Sequence, residues 1–371
     1  MKRFLRIFAF TLVLLASFLL IIGQPSASFS SDDVTDGDYS RIMEESVSGD
    51  PLVTEIAMLA AHDALSAGIV SGSPINYLDR GNILSSQSLL PLTESGILQA
   101  VAGGFAARIS KAQKSSVYDL LKRGTRYLDV RAAEYGGGFY GCHGLIADPL
   151  SDFLDDALRF LEETEGEFIV VEFRHCYFDE KGYPELFEYI RNATRNGKNL
   201  FDYIRYDPTQ IPLENLRYRT VVNGGSGVVI LTPEAASAEG LPGGRTEGGL
   251  AYAAEPYAVW HNRAKESEVI DGIEREYALL KENPGLHGDV FRINQAQRTP
   301  TFSADSIIDS IAGWSLIDMA YKYNRTLLTH PDFKEWLTVM PVFQVDYTDG
   351  MYGDFNDGVI KIINEFNANL A

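Results

Sequence analysis

Four short strings hold the residues best able to do chemistry. They are Leu59-Ala60-Ala61-His62-Asp63, Arg126-Tyr127-Leu128-Asp129-Val130-Arg131, Tyr140-Gly141-Cys142-His143-Gly144 and Val345-Asp346-Tyr347. A fifth, Glu172-Phe173-Arg174-His175, falls between the last two. Two histidines, three aspartates and an arginine amount to an acid–base pair with a clamp for negative charge. Histidine takes and gives protons near neutral pH. A carboxylate behind an imidazole fixes its tautomer and stabilises the imidazolium. A guanidinium matches charge developing on non-bridging phosphate oxygens. The set suits phosphodiester cleavage, where one hydroxyl is activated and one leaving oxygen protonated.

Each piece alone has a plainer reading. A histidine next to an aspartate is more often structural. Asp129-x-Arg131 reads in isolation as a strand-end salt bridge, and Cys142-His143 as packing beneath a glycine turn. Joint placement is what raises the chemical reading, so the elements that could gather these residues matter.

Short apolar runs predict strands over 53–59, 127–130, 139–142, 168–173, 228–231, 257–260, 290–293 and 339–345. Helical patterns lie between several of them. Ser116 stands three residues before Asp119, a capping-box spacing, and the segment that follows stops at Gly124. Ser151 opens a helix with Phe153, Leu154, Ala157, Leu158 and Leu161 on one face. Residues 305–324 and the run from Asn356 onward are also amphipathic. Strands alternating with helices favour a parallel sheet, and about eight strands favour a closed α/β barrel whose catalytic groups sit at the C-terminal strand ends. Each string above falls at such an end. Residues 234–249, rich in Ala, Gly, Ser and Pro, read as a long surface loop.

The chain has 371 residues, 45% of them hydrophobic, and a net charge of −19. No basic run exists to neutralise phosphates, which excludes nucleic acid as a partner class. The same charge disfavours tight electrostatic docking on anionic membranes. Lys2, Arg3 and Arg6 precede an apolar run over 7–22, with small residues at Ser26, Ala27 and Ser28. That layout predicts a secretory signal over 1–28, the alternative being an uncleaved N-terminal anchor. Residues 29–50 read as a flexible linker and 51–371 as one catalytic barrel. Export permits a disulfide between Cys142 and Cys176, with two free thiols as the other reading.

The string HDALSAG, followed by SSVYDLLKRGTRYLDVRAAEYGGGFYGCHGLIADPLSDFLDDALRFLEETEGEFIVVEFRH, resembles the X region of phosphatidylinositol-specific phospholipase C. The resemblance is strong over residues 54–176. IPLENLRYRTVV and residues 342–347 resemble later elements of that family. It implies an irregular TIM-type (β/α)8 barrel, in agreement with the strand count. It also implies that His62 is the general base toward the inositol 2-hydroxyl and His143 the general acid toward the diacylglycerol oxygen. Arg131 would hold the phosphate with Asp129 beside it, Asp63 would support His143, and Asp346 would orient His62. The implied product is a cyclic inositol phosphate.

Calcium-dependent members surround the ion with oxygen ligands. Here Arg131 stands where such a member carries an aspartate, so the resemblance is to the metal-free bacterial type, and no cofactor is expected. Metal-free relatives carry a lysine on the fourth strand; Arg174 is the candidate, with Phe173 and His175 as alternatives. The middle-strand arginine used for inositol has no counterpart in Val229-Ile230-Leu231-Thr232-Pro233. For the residue that stacks on inositol, Tyr257, Trp260 and Tyr347 are candidates. The expected partners are therefore a phosphoinositide or related phospholipid and, transiently, a membrane, met by a monomeric protein. Two other readings stay open: another head group such as glycosylphosphatidylinositol, or a non-catalytic lipid- or glycan-binding barrel.

Overall fold

A computed structural model of the protein describes residues 37–79, 97–233, 251–299, 315–348 and 354–370. The expected signal over 1–28, the linker up to 36, the loop over 234–249 and residues 305–314 lie outside the described residues.

Among the described residues ten strands form one sheet: β1 (Met58–Ala61), β2 (Thr125–Tyr135), β3 (Gly138–His143), β4 (Leu145–Pro149), β5 (Phe168–Tyr177), β6 (Gly227–Thr232), β7 (Tyr252–Ala253), β8 (Tyr257–Ala258), β9 (Arg292–Gln295) and β10 (Val342–Val345). Parallel ladders run in the order β7-β6-β5-β2-β1-β10-β9-β8. The two ends of that path, β7 and β8, are consecutive in the chain, with only Ala254, Glu255 and Pro256 between them. One short stretch of backbone thus pairs first with β6 and then with β9, which curls the sheet round on itself. Pro256 has no N–H to give to a ladder, which fits a break at this point. The result is the expected irregular TIM-type α/β barrel.

The described helices are α1 (Ile42–Ser46), α2 (Ile97–Ser110), α3 (Val117–Lys122), α4 (Leu150–Glu163), α5 (Tyr183–Asn192), α6 (Tyr218–Val221), α7 (Glu266–Glu282), α8 (Leu316–Leu328), α9 (Phe333–Leu337) and α10 (Asp354–Asn367). Ser116 caps α3 by accepting from the N–H of Asp119. On α4 the predicted face is buried, with Phe153, Leu154, Ala157, Leu158 and Leu161 at 3% exposure or less. It packs with Leu128 and Val130 of β2, Ile169, Val171 and Phe173 of β5, and Val228 and Ile230 of β6. Burying each such side chain contributes about 1.5–3 kcal/mol. Because strand side chains alternate, fixing these residues outward turns Tyr127, Asp129 and Arg131 to the barrel interior.

Three expectations are corrected. Residues 139–142 do form a strand, but β3 is not a barrel stave: it pairs antiparallel with the extended end of β2 and with β4. Gly136 and Gly137, at φ +56° and +84°, make a two-residue turn that requires positive φ at both positions. The predicted first strand begins instead with a 3₁₀ turn over Val53–Glu55, and β1 starts only at Met58. The linker is not flexible to residue 50, since Ile42 and Met43 of α1 are buried. Glu167 holds α1 by accepting from the N–H groups of Met43 and Glu44, each at 2.9 Å, while its other oxygen pairs with buried Arg126 at 2.7 Å.

Of the two readings left open for the cysteines, free thiols are what the structure has. Gly141 of β3 and Cys176 of β5 flank the same residue, Ala132, on opposite sides. Two strand spacings amount to about 9.6 Å, beyond the roughly 7 Å Cα separation that a disulfide can span.

Candidate active site

His62 is the residue after β1. Its N–H donates to the carbonyl of Val345 at 3.1 Å, which extends the β1–β10 pairing by one step and sets the ring beside Asp346. His62 Nδ1 lies 2.7 Å from Asp346 Oδ1. The residues that follow each partner, Asp63 at φ +45° and Tyr347 at φ +55°, are left-handed. For a tyrosine that backbone is uncommon, and such strain collects at functional sites. At Asp63 it turns the carboxylate back under the ring it follows.

That carboxylate is the hub. Asp63 is 1% exposed. Its Oδ1 pairs with Arg131 Nε at 2.5 Å, and its Oδ2 lies 2.9 Å from His143 Nδ1 and 3.3 Å from His62 Nε2. Asp129, also buried, takes Arg131 Nη2 at 3.1 Å. The same Nη2 stands 3.1 Å from His62 Nε2. Against the cost of burial, Arg131 first and then the two histidines hold Asp63 far below the usual carboxylate range. Arg131 likewise holds Asp129 down. For His62, burial pulls the imidazole down, but the charges of Asp63 and Asp346 outweigh it and its pKa stands above 6.5. Burial pushes Asp346 up, and His62 pulls it back only in part.

His143 reaches the same place from the hairpin. Gly141 lets β3 approach the β1 loop, for a Cβ there would meet Leu65 Cβ at 2.5 Å. His143 Nδ1 has two acceptors, Asp63 Oδ2 and the carbonyl of Ser110 at 2.8 Å. The two imidazole rings lie 5.7 Å apart at 79°. Each ring has Nδ1 against a carboxylate, and His62 Nε2 faces Arg131 Nη2 and Asp63 Oδ2.

All six residues expected to be catalytic are thus brought together: His62, Asp63, Asp129, Arg131, His143 and Asp346. Arg174 joins them through a bulge. The β2–β5 register shifts between Val130 and Arg131, so Arg131 pairs with His175 and Arg174 is the extra residue. Phe173 is buried among the outer helices, Arg174 pairs with Glu172 at 2.6 Å beside Asp129, and His175 is exposed. Tyr347 does not face a substrate, because it is buried with its hydroxyl on the Lys111 carbonyl at 2.5 Å. Tyr257 bonds Glu276 of α7 and stacks on His287 at 4.1 Å, so it belongs to the outer layer. Trp260 is 56% exposed, with Nε1 donating to Thr299 at 2.8 Å. Phe355 is core.

Sequence reasoning missed Ser66, Ser110, Gln113, Tyr127 and Glu172. Tyr127 donates to Glu172 at 2.8 Å beneath Arg174. Its signal was available, since it shares the inward parity of Asp129. The contacts of Ser110 and Gln113 lie in a segment without periodicity.

His62, Asp63 and Asp129 could each offer one metal-ligand atom, all within 4.8 Å of one another. Their fit to a cation is poor, because the Arg131 guanidinium is already bonded to both carboxylates and to the imidazole. A fixed positive charge stands where the ion would.

An irregular α/β barrel with this topology defines a class of protein, and that class is the phosphatidylinositol-specific phospholipase C fold. A mutant of the Staphylococcus aureus enzyme of that name superposes with a TM-score of 0.54 at 16% identity, covering 86% of this chain and 96% of that one. The Listeria monocytogenes enzyme gives 0.52 at 13%, covering 86% and 98%. Sequence similarity is narrower. The chain is 32% identical over 174 residues to a variant-surface-glycoprotein phospholipase C of Trypanosoma cruzi, which is 44% of this chain and 42% of that protein. The Trypanosoma brucei brucei protein of the same name matches at 32% over 130 residues, 34% of this chain and 35% of its own length. A mouse PI-PLC X domain-containing protein matches at 23% over 176 residues, 46% and 52%. The chain therefore spans less than half the length of the two trypanosome relatives. No family model matches it. The chain thus shares the fold of the bacterial phosphatidylinositol-specific phospholipases C, and part of it is similar in sequence to PI-PLC X-domain and variant-surface-glycoprotein phospholipase C proteins.

Proposed function

We propose that the protein is a phosphodiesterase of phospholipase C type, acting on phosphatidylinositol-type lipids through His62 and His143 without a metal. One observation carries the reading: two imidazoles 5.7 Å apart, each backed by its own buried aspartate, with an arginine between them. His62 Nε2 takes the proton of the attacking hydroxyl while Nδ1–H stays on Asp346. The hydroxyl oxygen bonds to phosphorus, and the bond from phosphorus to the glycerol oxygen breaks. His143 Nε2 gives its proton to that oxygen, releasing diacylglycerol and a cyclic phosphate. Charge on the non-bridging oxygens falls to Arg131, whose Nη1 bonds no described residue. In this reading Arg131 supplies the electrostatic service of a metal ion.

A second head group, glycosylphosphatidylinositol, is favoured by two facts. Strand β6 ends Leu231-Thr232-Pro233 with no arginine, and the trypanosome relatives are named for a surface glycoprotein. Export through the N-terminal signal accompanies both readings, and would be checked by finding the mature chain in culture medium.

Phosphorus NMR of the protein with phosphatidylinositol in detergent and excess EDTA tests the proposal. A five-membered cyclic phosphate signal, absent with His62→Ala, is the expected result. Turnover only after calcium is added would overturn the metal-free mechanism. Silence in both conditions, followed by turnover of a glycosylated lipid, would move the assignment to the second head group. Binding without turnover on either would leave a non-catalytic module.

A further inference from the structure

Residues 110–113 form a strap at the barrel mouth that touches both histidines. Ser110 gives its carbonyl to His143 Nδ1. The carbonyl of Lys111 accepts from the Tyr347 hydroxyl, and that of Ala112 from the Tyr347 N–H at 2.8 Å. The N–H groups of Ala112 and Gln113 both donate to buried Ser66 Oγ, at 3.0 and 2.9 Å. Gln113 itself is wholly buried. Its Nε2 donates to the carbonyl of His62 at 2.9 Å and to that of Val345 at 3.3 Å, and its Oε1 accepts from the N–H of Thr348 at 3.0 Å.

The side chain of Gln113 thus spans the two strand ends whose separation decides whether His62 meets Asp346. The carbonyl of His62 and the N–H of Thr348 lie just past β1 and β10, where the ladder has ended and no further backbone pairing holds them. A primary amide is the one neutral side-chain group that offers two donors and an acceptor in a plane. A buried hydroxyl could not span both strand ends, and a carboxylate could not donate.

We propose that Gln113 is a positioning residue for the His62–Asp346 dyad, fixing the distance between the base and its carboxylate. The inference rests on the two-histidine reading above for its effect on rate, but not for its effect on the ring. Misplacing a reacting group by about 1 Å can cost about 100-fold in rate. Gln113→Met, nearly isosteric and apolar, removes these bonds together with a fourth from the Thr348 hydroxyl to Oε1 at 3.4 Å, and should lower kcat by that order with KM little changed. Charged groups that face His62 are Asp63 and Asp346 from the strand ends, Asp129 and Arg131 from β2 and His143 from the hairpin. Loosening Asp346 removes one of the two attractions that hold its titration high.

The test is an NMR titration of the His62 imidazole in the full chain, run beside lipid kinetics. With Gln113→Met the His62 titration should move down toward the ordinary histidine value, and with Gln113→Asn it should move less, because the amide survives on a shorter arm. An unchanged His62 titration in a folded variant, even one of lower melting temperature, would reduce Gln113 to a structural role. Should Gln113→Met fail to fold, the Asn variant alone decides on the same readout. If the wild-type protein has no activity on any lipid, the proposed function fails while the His62 titration still tests this inference.

Discussion

The two aspartates behind the two histidines should not be equivalent, and the difference follows from one backbone carbonyl. His62 Nδ1 has one acceptor, Asp346 Oδ1 at 2.7 Å. His143 Nδ1 has two, Asp63 Oδ2 at 2.9 Å and Ser110 O at 2.8 Å. With Asp346→Asn the amide can present its NH2 to Nδ1, and the ring settles in the wrong tautomer with Nε2 protonated. In a comparable dyad that change costs about 10⁴-fold in kcat, or about 5.5 kcal/mol of transition-state stabilisation. With Asp63→Asn the tautomer of His143 survives on Ser110, and Arg131 keeps Asp129. The loss should then be about 10²–10³-fold, within the range of a weakened rather than abolished acid. Asparagine accepts the left-handed backbone at position 63, so folding should be retained. The assay is kcat and kcat/KM against pH on phosphatidylinositol in mixed micelles, with circular dichroism on each variant. His62 is held above 6.5 by Asp63 and Asp346 against the pull of burial. The acid limb of kcat/KM should therefore lie above that value in the wild type and move to lower pH with Asp346→Asn. A loss under tenfold with Asp346→Asn would refute the dyad. A loss with Asp63→Asn as large as with Asp346→Asn would refute the compensating role of Ser110.

Replacing His143 by Ala should cost about 10²–10⁴-fold on a lipid substrate but far less on an analogue with an aryl leaving group, which needs no proton; comparing the two ratios checks the acid assignment. Arg126→Met strands the buried Glu167 carboxylate and lets go of the Tyr39 carbonyl. Urea unfolding should show about 3–5 kcal/mol lost, with kcat unchanged in the folded fraction. Asp63 is held below its ordinary 3.8, so its contribution to stability is complete above that value and declines as pH falls below it toward the folded value. Acid unfolding of Asp63→Asn should accordingly be less steep than that of the wild type. Thiol titration in denaturant, without reductant, should count two free cysteines, because β3 and β5 hold Cys142 and Cys176 on opposite sides of β2.

The sequence by itself determined which polar residues gather at the barrel mouth and the kind of barrel that holds them. His62 and Asp346 each sit one residue past a strand end, Asp129 lies within the apolar run over 127–130, and the face of α4 is legible from its spacing. Those are local properties: alternation in a strand and periodicity in a helix are written in neighbouring residues. What crosses between distant segments was not legible. The hairpin that delivers His143 needed the turn at Gly136 and Gly137 to be recognised as a reversal, and only pairing with β2 removes β3 from the barrel. A single-residue bulge chose Arg174 over Phe173 and His175, because register belongs to two strands at once. The tyrosine at 347 looked able to meet a substrate but is consumed in holding the strap. Gln113 and the carbonyl of Ser110 carry no signature, since a buried amide or a backbone oxygen acquires its role only from the groups that folding sets within 3 Å of it.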